Sequence, residues 1–178
     1  MTIGDDALAA GYPLVPDTGE EGRVRWGARE INRTRDFVAL LPRGELDYLE
    51  LGAHTSSLIA ANNTTYDVPG LSVSPTLQIG RKYKITAFMG IGTNSSSDGG
   101  NRLLGIISDG SNNAIKLAAG YTYANHAGWG RAAVVIARYT ALATGTFTFK
   151  CRVYRSTGIG SQYVAATSYI HVEDIGLG

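Results

Sequence analysis

The sequence predicts a mainly β protein: an antiparallel jelly-roll-type β-sandwich, preceded by an extended N-terminal arm and one short α-helix. Three observations carry this. From Leu46 onward apolar residues recur at every second position. Turn-forming clusters cut that stretch into eight or more short segments. Only residues 24–41 show a heptad-like spacing.

In chain order, residues 1–22 are punctuated by Gly11, Pro13, Pro16, Gly19 and Gly22, which favours extended, irregular backbone. Tyr12, Leu14 and Val15 are apolar residues within that stretch, with nothing nearby in sequence to pack on. They are expected to dock on another surface. In the helix, Val24, Ile31 and Val38 are seven residues apart, with Gly27, Thr34 and Leu41 three residues after each. That stripe suits packing against other helices, or else against the chain's own body. Pro42 stops the helix and Gly44 follows. So short a helix is marginal alone and needs a partner face.

Beyond it, Tyr83, Ile85, Ala87, Met89 and Ile91 alternate with Lys82, Lys84, Thr86 and Phe88, and Phe147, Phe149, Cys151 and Val153 alternate with Thr148, Lys150, Arg152 and Tyr154. Both series read as half-buried antiparallel strands with the apolar set inward. Val134, Val135 and Ile136 are apolar on both faces, so this segment is either a central strand or a subunit interface, for which Val134 and Ile136 are the candidates. Asn62-Asn63, Pro69-Gly70, Asp98 to Gly100, Asp109-Gly110, Gly128 to Gly130, Thr144-Gly145 and Gly158 to Gly160 are expected to separate the strands.

Composition bounds the function. The 178 residues include 23 Gly and are 44% hydrophobic, enough for a core, while charged residues reach only 17%. Residues 1–50 hold ten acids against six arginines, a net of −4, and residues 51–178 five acids against ten bases, a net of +5. The chain divides on this basis into a charged N-terminal arm and helix, residues 1–44, and a β-body, residues 45–178. No dense basic stretch exists to neutralise phosphates, which argues against nucleic-acid binding. No apolar run approaches the roughly 20 residues of a membrane span, so no membrane insertion is expected. The first ten residues carry two Asp and no basic residue, unlike a signal peptide. One cysteine excludes an internal disulfide framework.

Gly11-Tyr12-Pro13-Leu14-Val15-Pro16, with the run Gly22-Arg23-Val24-Arg25-Trp26-Gly27-Ala28-Arg29-Glu30-Ile31-Asn32-Arg33-Thr34-Arg35-Asp36, resembles the virion-attachment start of small structural proteins from tailed phages of actinobacteria. Val68 to Val73, Ile107 to Asn112 and His171 to Gly176 resemble the C-terminal β-domains of the same group. The resemblance implies a minor tail or tail-fibre-like protein that trimerises through its β-domain and is assembled into the virion in the bacterial host cytoplasm. It also implies that Tyr12, Leu14, Val15, Arg23, Trp26, Arg29, Asn32, Arg33 and Arg35 face other virion proteins, tail-tip or capsid subunits. Pro42 to Gly52 leaves no room for a fibre shaft, which argues against a projecting fibre and for a short knob on the tail tip or on the capsid, with a capsid decoration or head-fibre protein as the alternative.

No catalytic residues emerge, and neither a metal nor a cofactor is expected. Glu45, Asp47 and Glu50 could suggest a carboxylate site, but on a strand Asp47 faces opposite to Glu50, so the stretch reads as an acidic, solvated connector. His54, His126 and His171 lack metal-ligand spacing. No serine sits in a nucleophile elbow. The sequons at Asn32, Asn62, Asn63 and Asn94 would stay unmodified in a bacterial cytoplasm. One stretch has the composition of a glycan site: Tyr121, Tyr123, Asn125, His126 and Trp129 offer stacking faces, an amide and an imidazole among glycines, suited to a host cell-surface glycan. The competing reading makes its aromatics ordinary sheet residues.

Overall fold

The computed structural model describes residues 22–53, 61–93, 101–122, 131–157 and 162–177. Helix α1 (Gly22–Leu40) leads into eleven strands: β1 (Gly44–Glu50), β2 (Thr64–Val73), β3 (Thr76–Leu77), β4 (Arg81–Thr93), β5 (Asn101–Asp109), β6 (Ala114–Thr122), β7 (Arg131–Thr140), β8 (Gly145–Thr146), β9 (Phe149–Thr157), β10 (Gln162–Val164) and β11 (Tyr169–Leu177). They form two antiparallel sheets. In the first, β1 pairs with β11 and β11 with β4; β10 extends the β11 side of β4, and β7 pairs with β4 on its other side. The second runs β2-β9-β5-β6, and β3 pairs with β8 as a small ribbon. Neighbours in a sheet are mostly distant in sequence, so the chain crosses repeatedly between layers, as in a jelly roll.

The period-two pattern accounts for the core. Tyr83, Ile85, Ala87, Met89 and Ile91 of β4 point inward with Ala133, Val135 and Ala137 of β7 and Ile170 and Val172 of β11. They meet Phe149, Cys151 and Val153 of β9, Ile107 of β5 and Val68, Leu71 and Val73 of β2. Cys151 is fully buried, as its place in the alternation predicts, and burial pushes its thiol pKa up. The layers approach closely at Gly105: a Cβ there would lie 2.7 Å from Met89 Cε and 2.9 Å from Val135 Cγ2. Tyr139, Phe147 and Phe149 close one end of the core, with ring centroids 4.7 to 5.5 Å apart.

Two expectations change. The presumed acidic connector is strand β1, hydrogen-bonded along β11; its glutamates sit at an exposed edge, where charge costs little. Pro69-Gly70 does not separate strands. It lies within β2, where the register to β9 jumps between Asp67 and Ser72 and Gly70 takes φ +77°. This is a bulge, the place where a strand tolerates proline and left-handed glycine. The Val134-Ile136 run is apolar on both faces, as its sequence reading has it: Val135 enters the core while its two neighbours point out of β7.

Helix α1 has no basic residue in its last turn. Arg81, at the start of β4, supplies one: its guanidinium donates to the Ala39 carbonyl and, at 2.7 Å, to that of Leu41. The same group binds both carboxylate oxygens of Asp174 on β11, at 2.6 and 2.9 Å, with the two side chains 3% and 2% exposed. A cation here satisfies free carbonyls at the helix end and complements the helix dipole. The helix is thereby tied to the sandwich at its C-terminus.

Candidate functional site

Two surfaces stand out. The first is the outer face of the first sheet. The register sets side chains of β1, β11, β4 and β7 in transverse rows: Glu50, Tyr169, Phe88 and Val134 form one, and Tyr48, His171, Thr86 and Ile136 the next. Phe88 and Tyr169 stack, with centroids 5.6 Å apart and planes at 10°. Tyr48 lies 5.7 Å from Tyr169 and edge-on to His171 at 6.0 Å. Val134 and Ile136 are 51% and 52% exposed. The sheet therefore presents an aromatic and aliphatic centre to solvent. Scattered apolar residues are ordinary on a surface, whereas a contiguous group marks a contact site.

Charges frame that centre. In the third row Glu45, Glu173, Lys84 and Arg138 lie side by side. Lys84 donates to Glu173 at 2.6 Å, and this hydrogen bond holds the Glu173 carboxyl below its usual pKa. His171 Nε2 is 2.9 Å from Glu45 Oε2, an ion pair whenever the imidazole is protonated. The Tyr48 hydroxyl donates to Glu50 at 2.9 Å, which raises the Tyr48 pKa. Asp47 turns away, accepting from the Ser74 amide at 3.2 Å. The three acids of β1 thus go to three different partners and do not converge. Among the described residues no group of three His, Cys, Asp or Glu is placed to hold a metal ion.

The second surface joins α1 to the end of the sandwich beside it. Ile31 and Val38 are 46% and 47% exposed, and Thr34, Phe37 and Leu41 are exposed on the same side. Ala39 and Asn32 are buried on the opposite side. Of the heptad stripe, Ile31, Thr34, Val38 and Leu41 are thus open to solvent. Asn32, expected to contact other virion proteins, faces its own chain at 7% exposure, while Arg33 is exposed near Glu30 at 3.7 Å and Arg29 and Arg35 are half-buried. At the adjacent end, the Gly80 amide bonds the Ala141 carbonyl at 2.9 Å, and Ile79 and Leu142 project into solvent from the two joined loops. A notch of about 250 Å³ opens there between Leu77, Tyr139, Leu142 and Phe147.

Other expected sites lie elsewhere. Arg23, Val24 and Trp26 fall in the first two turns of α1. Tyr121 falls in β6, opposite Arg102 in register. Tyr12, Leu14, Val15, Tyr123, Asn125, His126 and Trp129 lie outside the described residues. His171 lies on a strand face, as its sequence reading has it, whereas Phe88, Tyr169 and Tyr48 are members of the outer face that the sequence does not single out. Phe88 stood in the outward set of its alternation, which was the available signal.

No protein-family model matches the chain, and no curated protein matches it. Among solved structures it is similar to the infectious bursal disease virus Gx strain at TM-score 0.46 and 14% identity, over 74% of this chain and 32% of that one. The VP2 subviral particle of infectious bursal disease virus gives TM-score 0.43 and 11% identity over 74% and 32%. Dimeric latent PorU from Porphyromonas gingivalis gives 0.42 and 11% over 76% and 13%. The chain spans a third or less of each of these structures. Among the described residues no helix is long and apolar enough to cross a membrane. The fold assignment rests on the strand order and register themselves: a mainly β, antiparallel sandwich of jelly-roll type.

Proposed function

We propose that the chain is a structural component of a tailed-phage particle, not an enzyme. Its arm and helix, residues 1–44, attach to other virion proteins, and its β-body, residues 45–178, forms a homotrimeric knob facing outward. In a minor tail or short tail-fibre setting the knob contacts the host surface, and three weak sites gain affinity through effective concentration. A capsid decoration or head-fibre role uses the same parts and is favoured over a projecting fibre by the direct step from helix end to β1, Leu41 to Arg43.

One observation carries the reading: Ile31, Val38 and Leu41 of the α1 stripe stand exposed while Arg81 clamps the helix end to the sandwich. A helix that served only its own domain would bury that stripe. Held in this way it acts as a handle for other chains. The sequence resemblance of residues 11–36 to virion-attachment segments supports the same division. The test is particle incorporation of the full chain and of a chain lacking residues 1–41. The full chain should co-purify with particles, and the truncated chain should stay folded in the unbound fraction. Equal incorporation of both would refute the handle.

A further inference from the structure

The outer face of the first sheet is sorted by charge. Its β1 and β11 side carries Glu45, Glu50 and Glu173, and its β4 and β7 side carries Lys82, Lys84 and Arg138. The basic side is overloaded. Lys84 and Arg138 are direct cross-strand neighbours, an unfavourable like-charge pair, and the one carboxylate at hand, Glu173, is taken by Lys84. Among the described residues the side chains of Lys82 and Arg138 have no hydrogen-bond or ion-pair partner. On the same strand as Arg138, Val134 and Ile136 stand half exposed. Along the strands Val134 and Ile136 come first and Arg138 and Lys82 follow at one end, so what fits this side is a surface that sets an acidic group beside an apolar one. The chain itself displays one at the opposite edge, where exposed Tyr48 sits on β1 between Glu45 and Glu50.

We propose that this face recognises itself: the β1 edge of one copy, through Tyr48, Glu45 and Glu50, docks on Val134, Ile136, Lys82 and Arg138 of the next copy. The proposal rests on the reading of the β-body as self-associating and gives that association a surface and a direction. Donor and acceptor patches lie at opposite edges of one face, so the contact is head-to-tail. Such a contact closes into a ring when its rotation allows, which is how a trimer forms from one repeated interface.

The experiment is light scattering on the full chain and three variants: E45K/E50K, K82E/R138E, and all four substitutions together. All four positions are exposed or at an edge, and circular dichroism melts confirm folding in each. Wild type should assemble. Each double variant should weaken association on the order of tenfold or more, with a flattened salt dependence, and the quadruple variant should recover most of it. A wild type that assembles equally well with either double substitution would overturn the proposed surface and leave self-association standing. A wild type that stays monomeric at high micromolar concentration would overturn both. Val134→Asp is the further check: it should dissociate the assembly without unfolding the chain, and an unchanged mass would count against the surface.

Discussion

Replacing Arg81 by methionine keeps an unbranched apolar stem and removes its guanidinium. The structure sets what is lost. Arg81 binds Asp174 through two bonds of 2.6 and 2.9 Å in a site where both side chains are at most 3% exposed, and it also holds the carbonyls of Ala39 and Leu41. After the substitution Asp174 keeps the Gly176 amide at 2.9 Å and no cation. Breaking a buried pair from one side costs about 3–5 kcal/mol, because the remaining charge stays desolvated. Set against a total stability of about 5–15 kcal/mol, that is a large share. Arg81→Met should therefore lower the urea midpoint by a wide margin and release the helix end, reducing the helical circular dichroism signal before the β signal melts. Arg81→Met/Asp174→Leu should recover much of the loss, since removing both charges also removes the stranded one. A single substitution that stays within about 1 kcal/mol of wild type would refute the assignment. The double variant proving worse than the single would do the same.

Three further outcomes follow from the packing and the charges. Gly105→Ala puts a methyl group against Met89 and Val135 of the facing sheet, and denaturation should show a loss of about 1–3 kcal/mol unless Met89 swings clear. Cys151 should resist thiol labelling in the native chain and react once denatured, and Cys151→Ala should cost roughly 1 kcal/mol with assembly unchanged. Asp109 is held below the usual carboxylate pKa by the Asn113 side chain and by the amides of Asn113 and Ser111, and Glu173 by Lys84. Their contribution is full above the ordinary carboxylate range, about pH 4, and is lost as pH falls through the lower folded values. Denaturation midpoints taken at descending pH should drop in that window, and Asp109→Ala should flatten the drop.

Much of this architecture was legible because it is local. The inward sets of β4 and β9, the burial of Cys151 and the stripe of α1 follow from periods of two and 3.5 that need no knowledge of partners. What could not be read depends on which strands meet. Nothing near residues 44–50 announces that they pair with residues 169–174, so β1 passed for a connector. Phe88 and Tyr169 stack because β4 and β11 are neighbours in a fixed register, across 81 positions of sequence. Arg81 and Asp174 each look like ordinary surface charges until the sheet sets them side by side under the helix end. The outer face is written in the alternation of single strands, but its sorting by charge exists only once four strands are ordered.

The central claim is that residues 1–44 hold the chain to a particle and residues 45–178 face outward. The most direct measurement is cryo-electron microscopy of intact phage particles, combined with gold-labelled antibody against the β-body. The claim predicts threefold density at the tail tip or on the capsid, fitted by the sandwich, with the α1 end inward and the body labelled. Particles that lack the chain, or density with the β-body buried and the α1 end outward, would contradict it.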